Sequence, residues 1–161
     1  MTAVFVDTNV LIYSEDGAVA DKQARAIDWL SVLWDRRLGR VSTQVLSEFY
    51  VNVTRKAESP MPAGDARAEV RRYQRWQPWA VDHATVESAW SVESRFGFSY
   101  WDSLIIAAAQ AQRCRYLLSE DMQHGQLVDS VQILNPFLVG PEILDSDPSV
   151  PAVLTVQEPR P

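Results

Sequence analysis

Ala3-Val4-Phe5-Val6-Asp7-Thr8-Asn9-Val10-Leu11-Ile12-Tyr13 sets the architecture at the start of the chain. Ala3 to Val6 is a short apolar run rich in β-formers, the pattern of a strand buried on both faces. Asp7, Thr8 and Asn9 are turn and helix-capping residues, and Val10 to Tyr13 suit a short helix. Strand, polar turn and helix together open a βα unit, so the next strand should lie parallel to the first.

The rest of the chain continues the alternation. Residues 19–38 read as a helix, with Ala24, Ile27, Leu30 and Leu38 on its apolar face and Trp34 between them. Gly39 is the expected stop, and Arg40-Val41-Ser42 a minimal strand. Thr43 is a good N-cap for a helix to about residue 55, where Val45, Leu46, Phe49 and Val53 keep helical spacing and Glu48 lies near that face. After the connector Ser59-Pro60-Met61-Pro62, residues 65–76 read as an exposed helix, and Trp79-Ala80-Val81 as a strand. A helix over 83–96 closed by Gly97, an apolar helix over 100–112, and strands at 116–118 and 131–134 complete the order. Helices alternating with short strands imply a parallel sheet covered on both faces. Residues 1–140 form the expected domain. The Pro- and Asp-rich segment 141–161 is expected to be poorly ordered or to dock as an arm.

A chain of 161 residues fits one domain, and at this size roughly 70% of the unfolded surface is buried without help from disulfides or structural metal. The single cysteine, Cys114, has no internal partner. No basic leader precedes a long apolar run, and no stretch is apolar enough to span a bilayer. A cytoplasmic location with no membrane association is therefore expected. The net charge of −6 argues against nonspecific nucleic-acid binding through global charge, but it leaves a locally built nuclease site open.

Four acids stand where such a fold can gather them: Asp7 after the first strand, Glu48 in Leu46-Ser47-Glu48-Phe49, Asp102 in Tyr100-Trp101-Asp102-Ser103, and Asp121 in Leu118-Ser119-Glu120-Asp121. Ligands of open α/β sheets sit outside the C-terminal ends of the parallel strands. Asp7 and Asp121 follow strands; Glu48 and Asp102 lie near the starts of helices, whose positive ends tolerate a carboxylate. Taken singly, each has an ordinary explanation as a cap, a solvated acid or a loop residue, although Glu48 is too far from Thr43 to close a capping box. Taken together, buried carboxylates need neutralisation. An all-oxygen set suits Mg²⁺, with Mn²⁺ the alternative. One such ion, or two at about 3.5–4 Å, activates water and stabilises the leaving oxygen of a phosphodiester.

These four motifs, in this order and spacing, resemble the PIN-domain family of metal-dependent ribonucleases, and within it the VapC-like toxins of toxin–antitoxin modules. Asp7-Thr8-Asn9 is similar to the family's opening motif, Ser47-Glu48-Phe49 to its second acidic position, Trp101-Asp102-Ser103-Leu104-Ile105 with the alanine-rich helix to its third, and Leu118-Ser119-Glu120-Asp121 to its strand-end motif. Ile133-Leu134-Asn135-Pro136 is similar to its last strand, so the resemblance spans residues 2–137. It implies a three-layer α/β/α sandwich and a Mg²⁺-dependent endoribonuclease. Asp7, Glu48, Asp102 and Asp121 would be the catalytic and metal-binding acids, and Thr8, Asn9 and Ser119 polar neighbours that orient them. Glu120 departs from the pattern by placing a second carboxylate beside Asp121, and the two compete for the fourth position. A cognate antitoxin, an RNA substrate and a homodimer are the implied partners.

Two other functions bear on the same residues. A haloacid-dehalogenase-like phosphatase also places an Asp after the first strand, but needs a second acid two positions on, where Asn9 stands. A non-catalytic PIN-like binding module would tolerate the loss of an acid, yet all four are present. No Gly-x-Gly-x-x-Gly follows a strand, so dinucleotide binding is unsupported. Arg67, Arg71 and Arg75 share one helical face, either as a solvated stripe paired with Asp65 and Glu69 or as an RNA-phosphate track beside the acids. The tryptophans are expected mainly in the core; Trp101 adjoins Asp102, where packing is favoured over the alternative of a base-stacking role. Trp29, Trp34 and Tyr50 are expected to stay partly exposed as an antitoxin-docking surface. His83 and His124 read as surface residues, and Cys114 as buried and inert.

Overall fold

The computed structural model describes residues 2–146. Its sheet is built from β1 (Val4–Val6), β2 (Gly39–Arg40), β3 (Tyr116–Leu118), β4 (Leu127–Val128) and β5 (Val131–Leu134) in the order β2-β1-β3-β5-β4. β2, β1, β3 and β5 are parallel. The helices are α1 (Thr8–Glu15), α2 (Ala20–Arg36), α3 (Thr43–Val51), α4 (Ala63–Arg72), α5 (His83–Phe96) and α6 (Tyr100–Ala111), and they flank the sheet as the three-layer reading requires. Every residue of β1, β3 and β5 is buried, which explains why these strands are unbroken apolar runs rather than alternating ones. The alanine run of α6 divides its contacts: Ala107 packs with Ala89 of α5, while Ala108 and Ala109 join the main core.

Register places the site. Val6 pairs with Leu118, and Leu118 with Leu134, so β1 and β3 end level. The Asp7 N–H donates to the Leu118 carbonyl at 3.0 Å, and the Ser119 N–H to the Leu134 carbonyl at 3.0 Å. Asp7 and Ser119 are therefore neighbours on one edge of the sheet before any side chain is considered.

Several local expectations change. Helix α2 ends not at Gly39 but at Arg37, whose left-handed backbone (φ 57°) turns its N–H back to Leu33 and Trp34. Gly39 lies inside β2, where an added Cβ would meet the Trp76 ring at 2.4 Å; the glycine admits the indole. The N-cap of α3 is Ser42, whose Oγ accepts from the Val45 N–H, not Thr43. Helix α3 then runs into a π-helical turn over Asn52–Lys56. The helix read over 65–76 divides into α4 and a 3₁₀ turn, Tyr73–Trp76, that buries Tyr73 and Trp76 against Trp34; it is not exposed throughout. Trp79-Ala80-Val81 makes only a single bridge, from Trp79 to Ser42. The sheet is also not wholly parallel: the short β4, invisible as a two-residue run, pairs antiparallel with β5.

Trp29 is fully buried and its Nε1 donates to the Val139 carbonyl at 3.0 Å, so it offers no docking surface. Trp34 and Tyr50 are half-buried. In the segment after residue 140, Pro141–Asp145 forms a 3₁₀ turn, Ile143 and Leu144 pack on the core, and Asp145 pairs with Arg36 of α2 at 2.8 Å. The remainder of the tail lies outside the described residues. Among the described residues, no helix is long and apolar enough to cross a membrane.

Candidate active site

Three consecutive residues of the β1–α1 turn reach three parts of the protein. Asp7 is the N-cap of α1, its Oδ1 accepting from the Thr8 N–H at 2.7 Å. Its second oxygen, Oδ2, accepts from Ser119 Oγ at 2.8 Å and from Asn9 Nδ2 at 3.3 Å. Thr8 Oγ1 donates to Glu48 Oε2 on α3 at 2.6 Å. Asn9 Nδ2 lies 3.1 Å from Asp121 Oδ2, and Asn9 Oδ1 accepts from the Glu120 N–H at 3.3 Å. Ser119 Oγ also accepts from the Asp121 N–H at 3.2 Å, shaping the turn after β3.

The fourth acid comes from α6. Ser99 caps that helix, its Oγ accepting from the Asp102 N–H at 3.1 Å, which fixes Asp102 in the first turn. Gln44 ties α6 to α3: its Nε2 donates to Glu48 Oε1 at 3.0 Å and to the Trp101 carbonyl at 3.3 Å. Asp7, Glu48, Asp102 and Asp121 all line one open cleft of about 270 Å³, together with Thr8, Asn9, Ile12, Gln44, Asn52, Trp101 and Ile105. No Lys, Arg or His is among these lining residues. As the side chains stand, no group of three or more His, Cys, Asp or Glu among the described residues is gathered about one ion-sized position. The acids share a cleft rather than a closed cage.

Glu120 and Asp121 part company. Glu120 turns away from the cleft into an ion pair with Lys22, whose ammonium also lies over the Tyr13 and Phe137 rings, while Asp121 lines the cleft. The Arg67, Arg71 and Arg75 side chains are exposed and none lines the acidic cleft. Arg67 and Arg71 instead border a separate groove against the other side of α3, with Arg67 over the Tyr50 ring. Glu69 pairs with Arg72, not with the stripe, and Arg75 falls in the 3₁₀ turn beyond α4.

The electrostatics follow from burial without a cation. Burial pushes the Asp7 carboxyl up to about 7, against the lowering effect of the Ser119 and Thr8 hydrogen bonds, with the Glu48 and Asp102 charges adding to the rise. Asp102 is raised in the same way, first by burial and then by Asp121 and Glu48, against its interaction with Ser99. Burial and the neighbouring carboxylates thus act in the same direction on Asp7 and Asp102, disfavouring their ionised forms.

Two polar lining residues escaped the sequence reading: Gln44 and Asn52. The spacing Gln44, Glu48, Asn52 is i, i+4, i+8, a polar row along an otherwise apolar helix, and it was the available signal. Trp101 is 63% exposed, contrary to the expectation that it packs inside. His124 is half-buried, its Nδ1 accepting from the Asn135 N–H at 2.9 Å, and is not a surface residue; burial lowers its pKa. Cys114 is buried.

Residues 4–127 match the PIN domain family. Among solved structures, VapC20 of Mycobacterium tuberculosis, described as a sarcin-ricin loop cleaving toxin, superposes with a TM-score of 0.57 at 20% identity, over 74% of this chain and 92% of that one. VapBC2 of Rickettsia felis, bound to a DNA fragment from its promoter, gives 0.56 at 12% identity, over 82% and 97%. Comparison with functionally curated proteins gives no match.

Proposed function

The chain belongs to the PIN domain family, and from that premise we propose that it is a divalent-cation-dependent endoribonuclease acting as the toxin of a toxin–antitoxin pair. One observation carries the proposal: four carboxylates from four separate segments line a single cleft that contains no basic side chain. The donor set is all oxygen, and the most buried member, Asp7, is raised to about 7 by burial. Both features fit a hard cation, Mg²⁺ or Mn²⁺. Asp7, Glu48, Asp102 and Asp121 would hold it. Binding would draw in Asp102, which is half-buried, and Asp121, which is exposed. When bound, the ion supplies Lewis-acid polarisation of the phosphodiester and activation of a water.

The chain's own groups do the positioning. Oδ1 of Asp7 is spent on capping α1, which leaves Oδ2 toward Ser119 and the cleft. Thr8 holds Glu48 by one oxygen and Gln44 holds the other, so this carboxylate is fixed in orientation at the cleft. Asn9 keeps Asp7 and Asp121 beside each other by donating to both. This is also what disfavours the phosphatase reading: an amide donor stands where a second acid would be required, and no aspartyl-phosphate on Asp7 is expected. A cognate antitoxin and a second copy of the chain are the partners the reading entails. The likeness to VapBC2 supports the antitoxin part of that reading and does not bear on the second copy. Domain limits of 1–140 for the nuclease and 141–161 for the appended tail remain part of the proposal.

Cut sites mapped on RNA after expression of the parent and Asp102→Asn in one host test the assignment. The parent is expected to yield metal-dependent cuts that the variant does not. Cleavage by purified Asp102→Asn at the parental rate would overturn it. Calorimetry showing no Mg²⁺ or Mn²⁺ binding at millimolar concentration would favour a non-catalytic module.

A further inference from the structure

Trp101 belongs to neither hydrophobic cluster of the described residues. The indole is 63% exposed, more than any other large apolar side chain described, and it sits one residue before Asp102. Its ring touches Tyr100 edge-on at 5.2 Å, and its backbone carbonyl is tied down by Gln44, so the residue is held in place while its face stays open. The same residue forms a wall of the cleft that contains the four acids. The carboxylates there suit a cation and, through it, a phosphate, and they repel an acidic partner. What the cleft otherwise lacks is a surface for an uncharged, flat, partly apolar group, and the Trp101 face is that surface. Ile12 and Asn52 border both this cleft and an adjoining cavity of about 520 Å³, which is lined by Glu15, Asp16 and Glu58 as well as Lys56 and so supplies space but no net positive charge. A strand threaded past the acids therefore has room to continue.

We propose that Trp101 is a nucleobase-stacking platform for the nucleotide beside the scissile phosphate, and so a determinant of cut-site choice. The inference rests on the ribonuclease reading above. Stacking demands a base that is unpaired, because a base inside a duplex has both faces covered. It tolerates any base but rewards large ones, so a purine at the stacked position should bind better than a pyrimidine.

The test uses the full chain and short single-stranded RNA oligonucleotides carrying a mapped cut site, with an abasic residue placed in turn at each flanking position. Trp101→Ala is expected to lower kcat/KM about 10-fold or more, mainly through KM, and Trp101→Phe to recover most of it. Trp90→Ala, a 45% exposed tryptophan on α5 outside the cleft, serves as control and should change nothing. One abasic position should cost the parent as much as the loss of the indole and cost Trp101→Ala nothing further. Equal abasic penalties in parent and Trp101→Ala, or full activity of Trp101→Ala, would overturn the stacking role while leaving the nuclease reading intact. A parent that cleaves no oligonucleotide with either metal would overturn both.

Discussion

Replacing Asp7 by Asn should stabilise the metal-free protein at neutral and alkaline pH. Burial holds this carboxyl at about 7, against 3.8 unperturbed, which corresponds to roughly 4 kcal/mol against the ionised form once both states have lost the proton. The sign is fixed by proton counting. Between pH 3.8 and about 7 the folded protein keeps a proton that the unfolded chain has released, so stability falls as pH rises through that window and levels off above it. Asn cannot ionise and lacks this slope. It still caps α1 through its carbonyl oxygen, but its amide now faces Ser119 Oγ and Asn9 Nδ2, which donated to Oδ2. Losing or re-aiming these bonds costs about 1 kcal/mol each. The net gain expected for Asp7→Asn at pH 8 is therefore about 2 kcal/mol, or about 5 °C in Tm for a chain of this size.

Urea denaturation of parent and Asp7→Asn in excess chelator, from pH 4 to pH 8.5, measures this directly. The variant should be the less stable of the two at pH 4, by up to about 2 kcal/mol for the lost bonds; the curves should cross between about pH 5 and 6 and run parallel above about pH 8. Added Mg²⁺ should then stabilise the parent and not the variant, closing the gap by mass action. If Asp7→Asn is no more stable than the parent at pH 8 in chelator, or if the difference is independent of pH, the claim that Asp7 is an uncompensated buried acid is wrong.

Two further outcomes follow from particular contacts. Asp121→Asn should reduce RNA cleavage by at least 10-fold, whereas Glu120→Gln, which breaks only the pair with Lys22, should leave kcat/KM within about twofold, a Coulomb contact at a partly exposed site being worth little; the reverse order in a cleavage assay would exchange their roles. Gly39→Ala should destabilise by about 2 kcal/mol, because its Cβ would overlap the Trp76 ring and force it out of a packed cluster. A denaturation midpoint unchanged within error would show that the indole yields without cost.

The parts of this fold that could be read from the chain were those written in one local signal. β1, β3 and β5 are continuous apolar runs because both faces are covered, and α5 and α6 carry their own stops and starts in Gly97 and Ser99. What escaped depends on long-range packing. Gly39 reads as a helix stop, and only the arrival of Trp76 from 37 positions later reveals why a side chain is forbidden there. Tyr73 and Trp76 look like the end of an exposed basic helix until Trp34 meets them. β4 exists because β5 offers an edge to pair with, not because Leu127 and Val128 prefer a strand. The candidate site divides along the same line. The acids are legible since each borders apolar sequence, but nothing local distinguishes Glu120 from Asp121, whose side chains diverge when Lys22 captures the former.

The β1–α1 turn removes a choice that the sequence left open. Read locally, Asp7-Thr8-Asn9 is a helix cap; read chemically, it is the entry to a metal-ion site. The two readings use different atoms of the same residues. Asp7 Oδ1 caps, while Oδ2 meets Ser119. The Thr8 N–H is the capped donor, while its hydroxyl holds Glu48. Capping fixes the Asp7 side chain relative to the helix, and parallel pairing fixes β1 relative to β3. The carboxylate is thereby held in place before any ligand arrives, and the cost of burying it is borne by folding. Substitutions that spare the acids but loosen the turn should then weaken cation binding more than they weaken the fold. Thr8→Val is the sharpest case: it keeps the backbone donor and the buried volume, and removes only the hydroxyl that orients Glu48.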